Sequence, residues 1–192
     1  MADYIASELG IDEKNSWGTD PLIFAAMNQE FNFVLDAAAS ESNRLVPNFF
    51  TAKDDAIIID WHRDITMHYA CGDLTPPNYN VWVNPPYGRG MIQQFMQKAI
   101  KEKAKGVTTV MLVPATLDAQ WLPINDISEI RFVVSGRLSF IHPTTGKKIA
   151  GNTKGSMFVI FKPETSPLVT QYINRNELLA KGELFLNNKI AA

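Results

Sequence analysis

Short runs of apolar residues, several of them ending on a polar side chain, predict the inner strands of a sheet. Three of these runs are residues 33–35, 57–59 and 81–83, which end at Asp36, Asp60 and Asn84. Residues 107–113, stopped by Pro114, and residues 130–134 have the same character. A strand that helices cover on both faces is apolar throughout, so these runs indicate a mainly parallel sheet.

Two further stretches have apolar residues at helical spacing. Asp20 and Pro21 are typical of a helix start, with Asp20 as the N-cap and Pro21 at the first helical position, and this helix is expected to run to about Phe31. From Met91 to Ile100 the apolar pattern predicts an amphipathic helix on the sheet. Its lysines fall on the remaining positions and are expected to face solvent; they are Lys98, Lys101, Lys103 and Lys105. Strand and helix patterns alternate, so the fold class is α/β.

The last third of the chain is predicted to contain an antiparallel hairpin and a closing helix. Residues 138–142 and 157–161 are β-like and are joined by residues 143–156, a loop rich in Gly and Thr. Residues 168–186 are predicted to be helical. Since no repeat or long linker interrupts the chain, residues 1–192 are expected to form one domain, with residues 1–15 as an N-terminal extension.

Composition indicates an ordinary globular protein of a reducing compartment. The single cysteine, Cys71, cannot form an intramolecular disulfide, and no Cys-x-x-Cys spacing suggests a structural zinc. No apolar stretch has the length of a signal peptide core or a membrane span. We therefore expect a cytoplasmic protein without a membrane partner or a metal.

Charge is distributed unevenly along the chain. The net charge is -2, yet residues 1–64 carry 12 acidic and 4 basic side chains, whereas residues 65–192 carry 8 acidic and 14 basic ones. A polyanion would meet the second part of the chain. The alternative is that solvated surface charges merely cluster there.

The strongest chemical signal is the loop after the third predicted strand. Asn84, Pro85, Pro86 and Tyr87 follow residues 81–83, at the edge of the sheet where ligands bind in α/β folds. The two prolines fix the backbone, so the carbonyl groups of Asn84 and Pro85 point in set directions and Tyr87 projects as an aromatic side chain. The alternative is a turn with a packed tyrosine.

Such a loop suits the methylation of an aromatic amine. The nitrogen lone pair of such an amine is delocalised into the ring, and two acceptors on its hydrogens favour the pyramidal geometry that attack on a methyl group requires. The Asn84 side-chain carbonyl and the Pro85 main-chain carbonyl could supply these acceptors, while Tyr87 stacks on the base. A base inside a duplex cannot reach the loop, so the target would have to be flipped out.

Over most of its length the chain resembles the phage-type DNA N-6-adenine-methyltransferase family. The resemblance rests on Trp17 to Pro21, Glu30 to Asp36, Asn43, Asn48 to Thr51, Asp60-Trp61, Asn84 to Tyr87, Met111 to Pro114 and Gly136 to Phe140. It implies a Rossmann-like methyltransferase sheet, mainly parallel with an antiparallel hairpin near the C-terminus, with helices on both faces. It also implies S-adenosylmethionine as cofactor, double-stranded DNA as substrate, and the cytoplasm of a bacterium or a phage-infected host.

The resemblance implies that the cofactor meets the first helix start and the end of the strand at Asp36. A helix start offers free N–H groups to the methionine carboxylate, and small residues after a strand let the backbone approach a ligand. No glycine follows Asp36, unlike the usual methyltransferase turn. For the ribose hydroxyls Asp54, Asp55 and Asp60 remain rival candidates. The expected cofactor residues are Trp17, Thr19, Pro21, Asp36, Ala37, Ala38, Asn43, Asp55 and Asp60. Trp61 and Trp82 are expected in the core.

DNA contacts are expected from basic residues near the end of the chain. They are Arg137, Lys147, Lys148 and Lys154, the three lysines lying in the loop 143–156. Target recognition is expected from this loop and from residues 115–122. The alternatives are an amino methyltransferase acting on cytosine N4, RNA or a glutamine side chain, and a non-catalytic nucleic-acid-binding module.

Overall fold

A computed structural model describes residues 17–88, 90–150, 153–164 and 167–191, which form four helices and nine strands. In chain order these elements are β1 (Gly18–Thr19), α1 (Pro21–Phe31), β2 (Leu35–Asp36), α2 (Trp61–Ala70), β3 (Asn80–Val83), α3 (Met91–Lys103), β4 (Thr108–Pro114), β5 (Glu129–Val134), β6 (Phe140–Ile141), β7 (Lys148–Ile149), β8 (Ser156–Phe161), β9 (Val169–Asn174) and α4 (Arg175–Ala191). The predicted extension at residues 1–15 lies outside the described residues.

The main sheet has six strands in the order β2-β3-β4-β8-β5-β9. The pairs β2–β3, β3–β4 and β5–β9 are parallel, whereas β8 is antiparallel to both β4 and β5. The prediction of a mainly parallel sheet is therefore corrected to a mixed sheet. The reason is that β8 pairs with two strands distant in sequence, and a run of apolar residues does not encode the direction of such a pairing.

The predicted hairpin between residues 138–142 and 157–161 is wrong. Instead β6 pairs with β1 and with β7 in a separate three-stranded sheet, while β8 enters the main sheet. The real hairpin is short: its turn runs from His142 to Lys147, where the His142 N–H donates to the Lys147 carbonyl. This small sheet attaches the basic loop to the strand that precedes α1.

Helices cover both faces of the main sheet, as predicted. Because side chains alternate along a strand, Val110 and Leu112 of β4 pack with α1 and α4, whereas Met111 and Val113 face α2 and α3. Trp82 lies on the side of the sheet covered by α1 and α4, and Trp61 lies on the side covered by α2 and α3; both are fully buried. None of the described helices is long and apolar enough to cross a membrane.

Helix α4 packs closely on α1. A Cβ atom at Gly182 would lie 1.9 Å from the Leu22 carbonyl oxygen, so the two backbones approach at a point that only glycine allows. The predicted helix over residues 168–186 is half wrong, because Val169–Asn174 form the edge strand β9 beside β5. Its side chains are mostly exposed, which removes the apolar signature of an inner strand.

The predicted strand at residues 57–59 is a turn. The side chain of Asp55 accepts from the Ile57 N–H at 3.2 Å, and Asp60 becomes the N-cap of α2 by accepting from the Arg63 N–H at 2.9 Å. Ile58 is 79% exposed, so this apolar run does not enter the sheet. Aspartate side chains that bond nearby main-chain N–H groups favour turns over strands.

Lysine 98 is the exception among the lysines of α3, which were predicted to face solvent. Its side chain is 5% exposed, and its ammonium donates to the Ile59 carbonyl at 2.5 Å and to Glu102 at 2.6 Å. Glu102 is fully buried and also meets Lys105 at 2.9 Å. This ion-pair network attaches the turn before α2 to α3.

Candidate active site

The loop Asn84 to Tyr87 follows the C-terminal end of the inner strand β3 and is held by hydrogen bonds to two other segments. The Asn84 amide nitrogen donates to the main-chain carbonyl of Trp17 at 3.1 Å. That bond distinguishes the two ends of the amide, so the oxygen Oδ1 points away from Trp17. Pro85 is buried and Pro86 half-buried, which keeps the backbone rigid between the two polar residues.

Tyrosine 87 combines an exposed ring with an inward hydroxyl group. The hydroxyl donates to the Leu112 carbonyl at 3.2 Å and lies 3.3 Å from Asn84 Oδ1. The ring meets Phe140 edge to face at 6.4 Å between centroids, and 40% of the residue surface is exposed. Burial of the hydroxyl raises the pKa of Tyr87, so the group stays protonated and acts as a donor.

A small cavity lies on the Asn84 side of the loop, between β1 and the ends of β2 and β3. It brings together five of the residues predicted to bind the cofactor with Asn84 of the loop Asn84 to Tyr87. The residues that line it are Trp17, Gly18, Thr19, Asp36, Ala38, Asn43, Leu45, Trp82 and Asn84. Residues far apart in sequence thus converge where β2 and β3 end.

Asp36 is the buried acid of this cavity, with 3% of its surface exposed. Its carboxylate accepts from the main-chain N–H groups of Leu45 at 3.2 Å and Ala38 at 3.4 Å. Burial outweighs these two bonds and raises the pKa of Asp36 to about 7. No described cation neutralises this carboxylate, so a ligand that donates hydrogen bonds would stabilise its charged form.

Two other buried polar atoms at the cavity have no partner among the described residues. They are the hydroxyl oxygen of Thr19, a residue 5% exposed, and the indole nitrogen of Trp82, a residue fully buried. Leaving a buried polar group without a hydrogen bond costs about 1–3 kcal/mol. Both residues line the same cavity, which is the pattern expected where a ligand supplies the missing partners.

The start of α1 differs from the prediction that its free N–H groups hold the cofactor carboxylate. Pro21 has no N–H, Leu22 donates to the Asp20 side chain at 3.1 Å, and Ile23 donates to the Asp20 carbonyl at 2.9 Å. Phe24 also bonds that carbonyl. The first turn therefore has no unused main-chain donor, and the buried Asp20 side chain forms an ion pair with Lys148.

The remaining predicted cofactor residues do not line the cavity. Pro21 is exposed at the first position of α1, and Ala37 is buried with its N–H donating to the Trp82 carbonyl. Asp55 shapes the turn before α2, while Asp60 caps that helix and pairs with Lys105. The rival Asp54 accepts from Thr51 in an exposed turn. These acids have local structural partners, so Asp36 is the acid that the structure places at the cavity.

A larger cavity of about 550 Å³ lies on the Tyr87 side of the loop. The segments predicted to recognise the target, residues 115–122 and 143–156, both reach it. Its lining residues are Tyr87, Gly88, Gly90, Ile92, Gln93, Pro114, Thr116, Gln120, Trp121, Thr153 and Lys154. The aromatic rings and side-chain amides give it a surface suited to a planar ligand with polar edges.

The four basic residues predicted to contact DNA lie in different environments. Lys147 is exposed in the turn between β6 and β7, and Lys154 lines the larger cavity. Arg137 is exposed and its guanidinium donates to the Thr153 carbonyl. Lys148 instead points its ammonium at Asp20, beside the small cavity. The four were predicted as one group, and the structure separates Lys148 from the others.

Several site residues lay outside the sequence prediction because they come from distant segments. Leu45 contributes a main-chain N–H to Asp36, and Leu112 contributes a carbonyl to Tyr87. Gln93, on the first turn of α3, lines the larger cavity. Leu45 and Leu112 act through main-chain atoms, which the identity of a side chain does not reveal. Among these residues only Gln93 could have been predicted, from its position shortly after the loop Asn84 to Tyr87.

Comparison with known proteins gives consistent results over nearly the whole chain. The family model described as DNA N-6-adenine-methyltransferase (Dam) matches residues 6–185. A DNA N-6-adenine-methyltransferase of Haemophilus phage HP1 (strain HP1c1) is 28% identical over an alignment of 179 residues that covers 90% of this chain and 94% of the phage protein. One from Escherichia phage T1 is 29% identical over an alignment of 166 residues that covers 78% of this chain and 63% of the phage protein.

Proposed function

Because the chain belongs to the DNA N-6-adenine-methyltransferase (Dam) family, we propose that it transfers a methyl group from S-adenosylmethionine to the N6 amino group of adenine in double-stranded DNA. Both relatives are named DNA N-6-adenine-methyltransferase. The observation that carries the proposal is the place of the catalytic loop between two cavities. Asn84 lines the small cavity and Tyr87 lines the large one, so the loop can meet a methyl donor on one side and a base on the other.

The small cavity has the chemistry that the cofactor needs. S-adenosylmethionine, when bound, supplies a methyl group on a positively charged sulfur. The Asp36 carboxylate can accept from its hydroxyl or amino groups, and the unpartnered Thr19 and Trp82 groups can donate to its acceptors. The enclosed void is about 10 Å³, far below the roughly 300 Å³ of the smallest usual ligand pockets. We therefore expect β1 to move outwards when the cofactor enters.

The large cavity has the size and lining that a flipped adenine needs. Its volume of about 550 Å³ lies inside the range of ligand pockets, and its walls include the rings of Tyr87 and Trp121. Stacking of a base on such a ring contributes about 1–3 kcal/mol, which offsets part of the cost of leaving the duplex. Gln93 and Gln120 offer both donors and acceptors to the edge of a base.

The loop itself would orient the amine. A carbonyl oxygen has two lone pairs, so Asn84 Oδ1 can accept from the substrate amine while the Tyr87 hydroxyl remains beside it. The Pro85 carbonyl is the second acceptor. Tyr87 keeps its proton because burial raises the pKa of its hydroxyl, so it positions and does not act as the base. The extra proton on the methylated nitrogen leaves to water after the transfer.

Identification of the methylated nucleoside tests this function. Duplex DNA is incubated with the protein and S-adenosylmethionine, digested to nucleosides and analysed by mass spectrometry. We expect N6-methyldeoxyadenosine with the wild type and none with Asn84→Ala. Detection of N4-methyldeoxycytidine would show that the protein methylates cytosine instead of adenine. Cofactor binding without any methylated nucleoside would support a non-catalytic binding module.

A further inference from the structure

The small sheet brings Lys148 to the start of α1. Strand β1 pairs with β6 and β6 pairs with β7, in a register that sets Thr19 opposite Phe140 and Ile141 opposite Lys148. Across this sheet the Lys148 ammonium forms an ion pair with Asp20, whose side chain is 4% exposed. A lysine from the basic loop is thereby attached to the helix that begins beside the small cavity.

The start of α1 would repel an anion without this lysine. A helix start normally attracts anions through unused N–H groups and the positive end of its dipole. Here the first turn has no unused N–H group, and the buried Asp20 carboxylate adds a negative charge. Next to it, the Thr19 hydroxyl is buried at the cavity without a partner among the described residues, which independently indicates a ligand at this position.

We propose that Lys148 is a cofactor-positioning residue: it neutralises Asp20 and directs an N–H donor to the carboxylate of S-adenosylmethionine at the start of α1. The proposal rests on the proposed function, because it assumes that cofactor. An ammonium group has three N–H donors, so Lys148 can pair with Asp20 and still direct a donor to the ligand. The role differs from the DNA contact that its place in a basic loop predicts.

The neighbouring Lys147 is a matched control. It is one residue away in the same loop and carries the same charge, but it is exposed in the turn and no described contact directs it to Asp20. A general effect of positive charge near the site would be shared by the two lysines. An effect specific to the Asp20 ion pair would belong to Lys148 alone.

Calorimetric titration without DNA tests the proposal, using the wild type, Lys148→Met and Lys147→Met. The ligands are S-adenosylmethionine and 5′-methylthioadenosine, which lacks the amino acid part. We expect Lys148→Met to bind S-adenosylmethionine about tenfold more weakly, equivalent to about 1.4 kcal/mol, and to bind 5′-methylthioadenosine as the wild type does. Lys147→Met should match the wild type for both ligands.

A double-mutant cycle with Asp20→Asn separates charge from folding. The side-chain oxygen of Asn can still accept from the Leu22 N–H, so Asp20→Asn removes the negative charge and keeps the N-cap. The double variant Asp20→Asn/Lys148→Met should therefore recover part of the lost affinity. Equal losses for both ligands would show that Lys148 acts only through the fold and would overturn the proposal. No recovery in the double variant would overturn the neutralisation of Asp20 as the reason for the loss. Unchanged affinity in Lys148→Met would overturn the proposal and leave the proposed function standing. A wild type that does not bind S-adenosylmethionine would overturn both.

Discussion

Two buried polar regions of this chain differ in whether their atoms have partners. At α3, Lys98 and Glu102 are almost inaccessible to solvent, yet their charged atoms meet each other, a main-chain carbonyl and Lys105. At the small cavity, Thr19 and Trp82 have buried polar atoms without a described partner. The charged atoms of the first region have their partners within the protein, whereas the second region leaves two buried polar atoms that a ligand could bond. Burial alone therefore does not indicate a site; at the small cavity the indication is that two residues with unpartnered buried atoms line the same void.

The largest expected effect concerns the complete region. Glu102→Ala would leave the Lys98 ammonium buried without its counter-ion, and such a loss costs about 3–5 kcal/mol. We expect a correspondingly lower free energy of unfolding in urea, with unchanged affinity for S-adenosylmethionine. In the double variant Lys98→Met/Glu102→Met much of this loss should be recovered, because no unpaired charge remains. A loss below about 1 kcal/mol for Glu102→Ala would contradict a tightly coupled network.

The next prediction concerns pH and the acid of the incomplete region. The pKa of Asp36 is about 7 in the folded protein against 3.8 for a free side chain, so the unfolded chain loses this proton first as pH rises. Stability from this group is present below pH 4 and decreases up to about pH 7, by about 4 kcal/mol in total. In unfolding experiments at pH 4 to 8, Asp36→Asn should lack this decrease.

Two controls make the Asp36 prediction specific. Asp118→Asn removes a charge from an exposed position and should keep the wild-type pH profile. Saturating cofactor should also reduce the decrease, because donors to the carboxylate favour its charged form. Parallel pH profiles for wild type and Asp36→Asn would show that Asp36 titrates as an ordinary carboxyl group.

Asn84→Ala addresses the chemistry of the site. Removing one preorganised hydrogen-bonding group costs about 2.7–4 kcal/mol in the barrier, so kcat should decrease by about 100- to 1000-fold. Cofactor affinity should decrease much less than kcat, because Asn84 is one of nine residues that line the small cavity, whereas its side-chain oxygen is the acceptor assigned to the substrate amine. Single-turnover methylation and calorimetry would measure the two quantities. A variant that retains more than a tenth of the wild-type rate would exclude this role for Asn84.

The smallest effects are expected at the basic residues predicted to contact DNA. Each lost phosphate contact should reduce the slope of log affinity against log salt by about 0.9 for duplex DNA. Lys147→Ala and Lys154→Ala should each show this reduction, while Lys148→Met should show less because its ammonium is engaged by Asp20. Affinities measured from 50 to 200 mM salt would decide this. Identical slopes in all variants would place the DNA surface elsewhere, with Lys101 and Lys103 of α3 as the next candidates.

Local signals in the sequence predicted a substantial part of this fold. Asp20 as N-cap and Pro21 at the first position define the start of α1, and the apolar periodicity from Met91 defines α3. The inner strands β3 and β4 lie where continuous apolar runs placed them. Five of the nine predicted cofactor residues converge at one cavity, which the resemblance to the family indicated.

The errors arise where tertiary contacts override the local pattern. The isoleucines at 57–59 look like a strand, but the bonds of Asp55 and Asp60 to nearby N–H groups hold a turn. A lysine in a helix is normally expected at the surface. The burial of Lys98 is favourable only because its ammonium meets the distant Ile59 carbonyl and the buried Glu102, and neither contact is visible in the local pattern. The partners of β8 are set by pairing across long separations, which apolar character alone cannot specify.

The close packing at Gly182 has a consequence for the order in which the molecule is made. Helix α1 begins at Pro21, while α4, which covers it, begins at Arg175, after every strand of the main sheet. As the ribosome produces the chain, α1 emerges early and its apolar face stays uncovered until α4 follows. The part of α1 that α4 covers is therefore among the first segments synthesised and among the last to be buried.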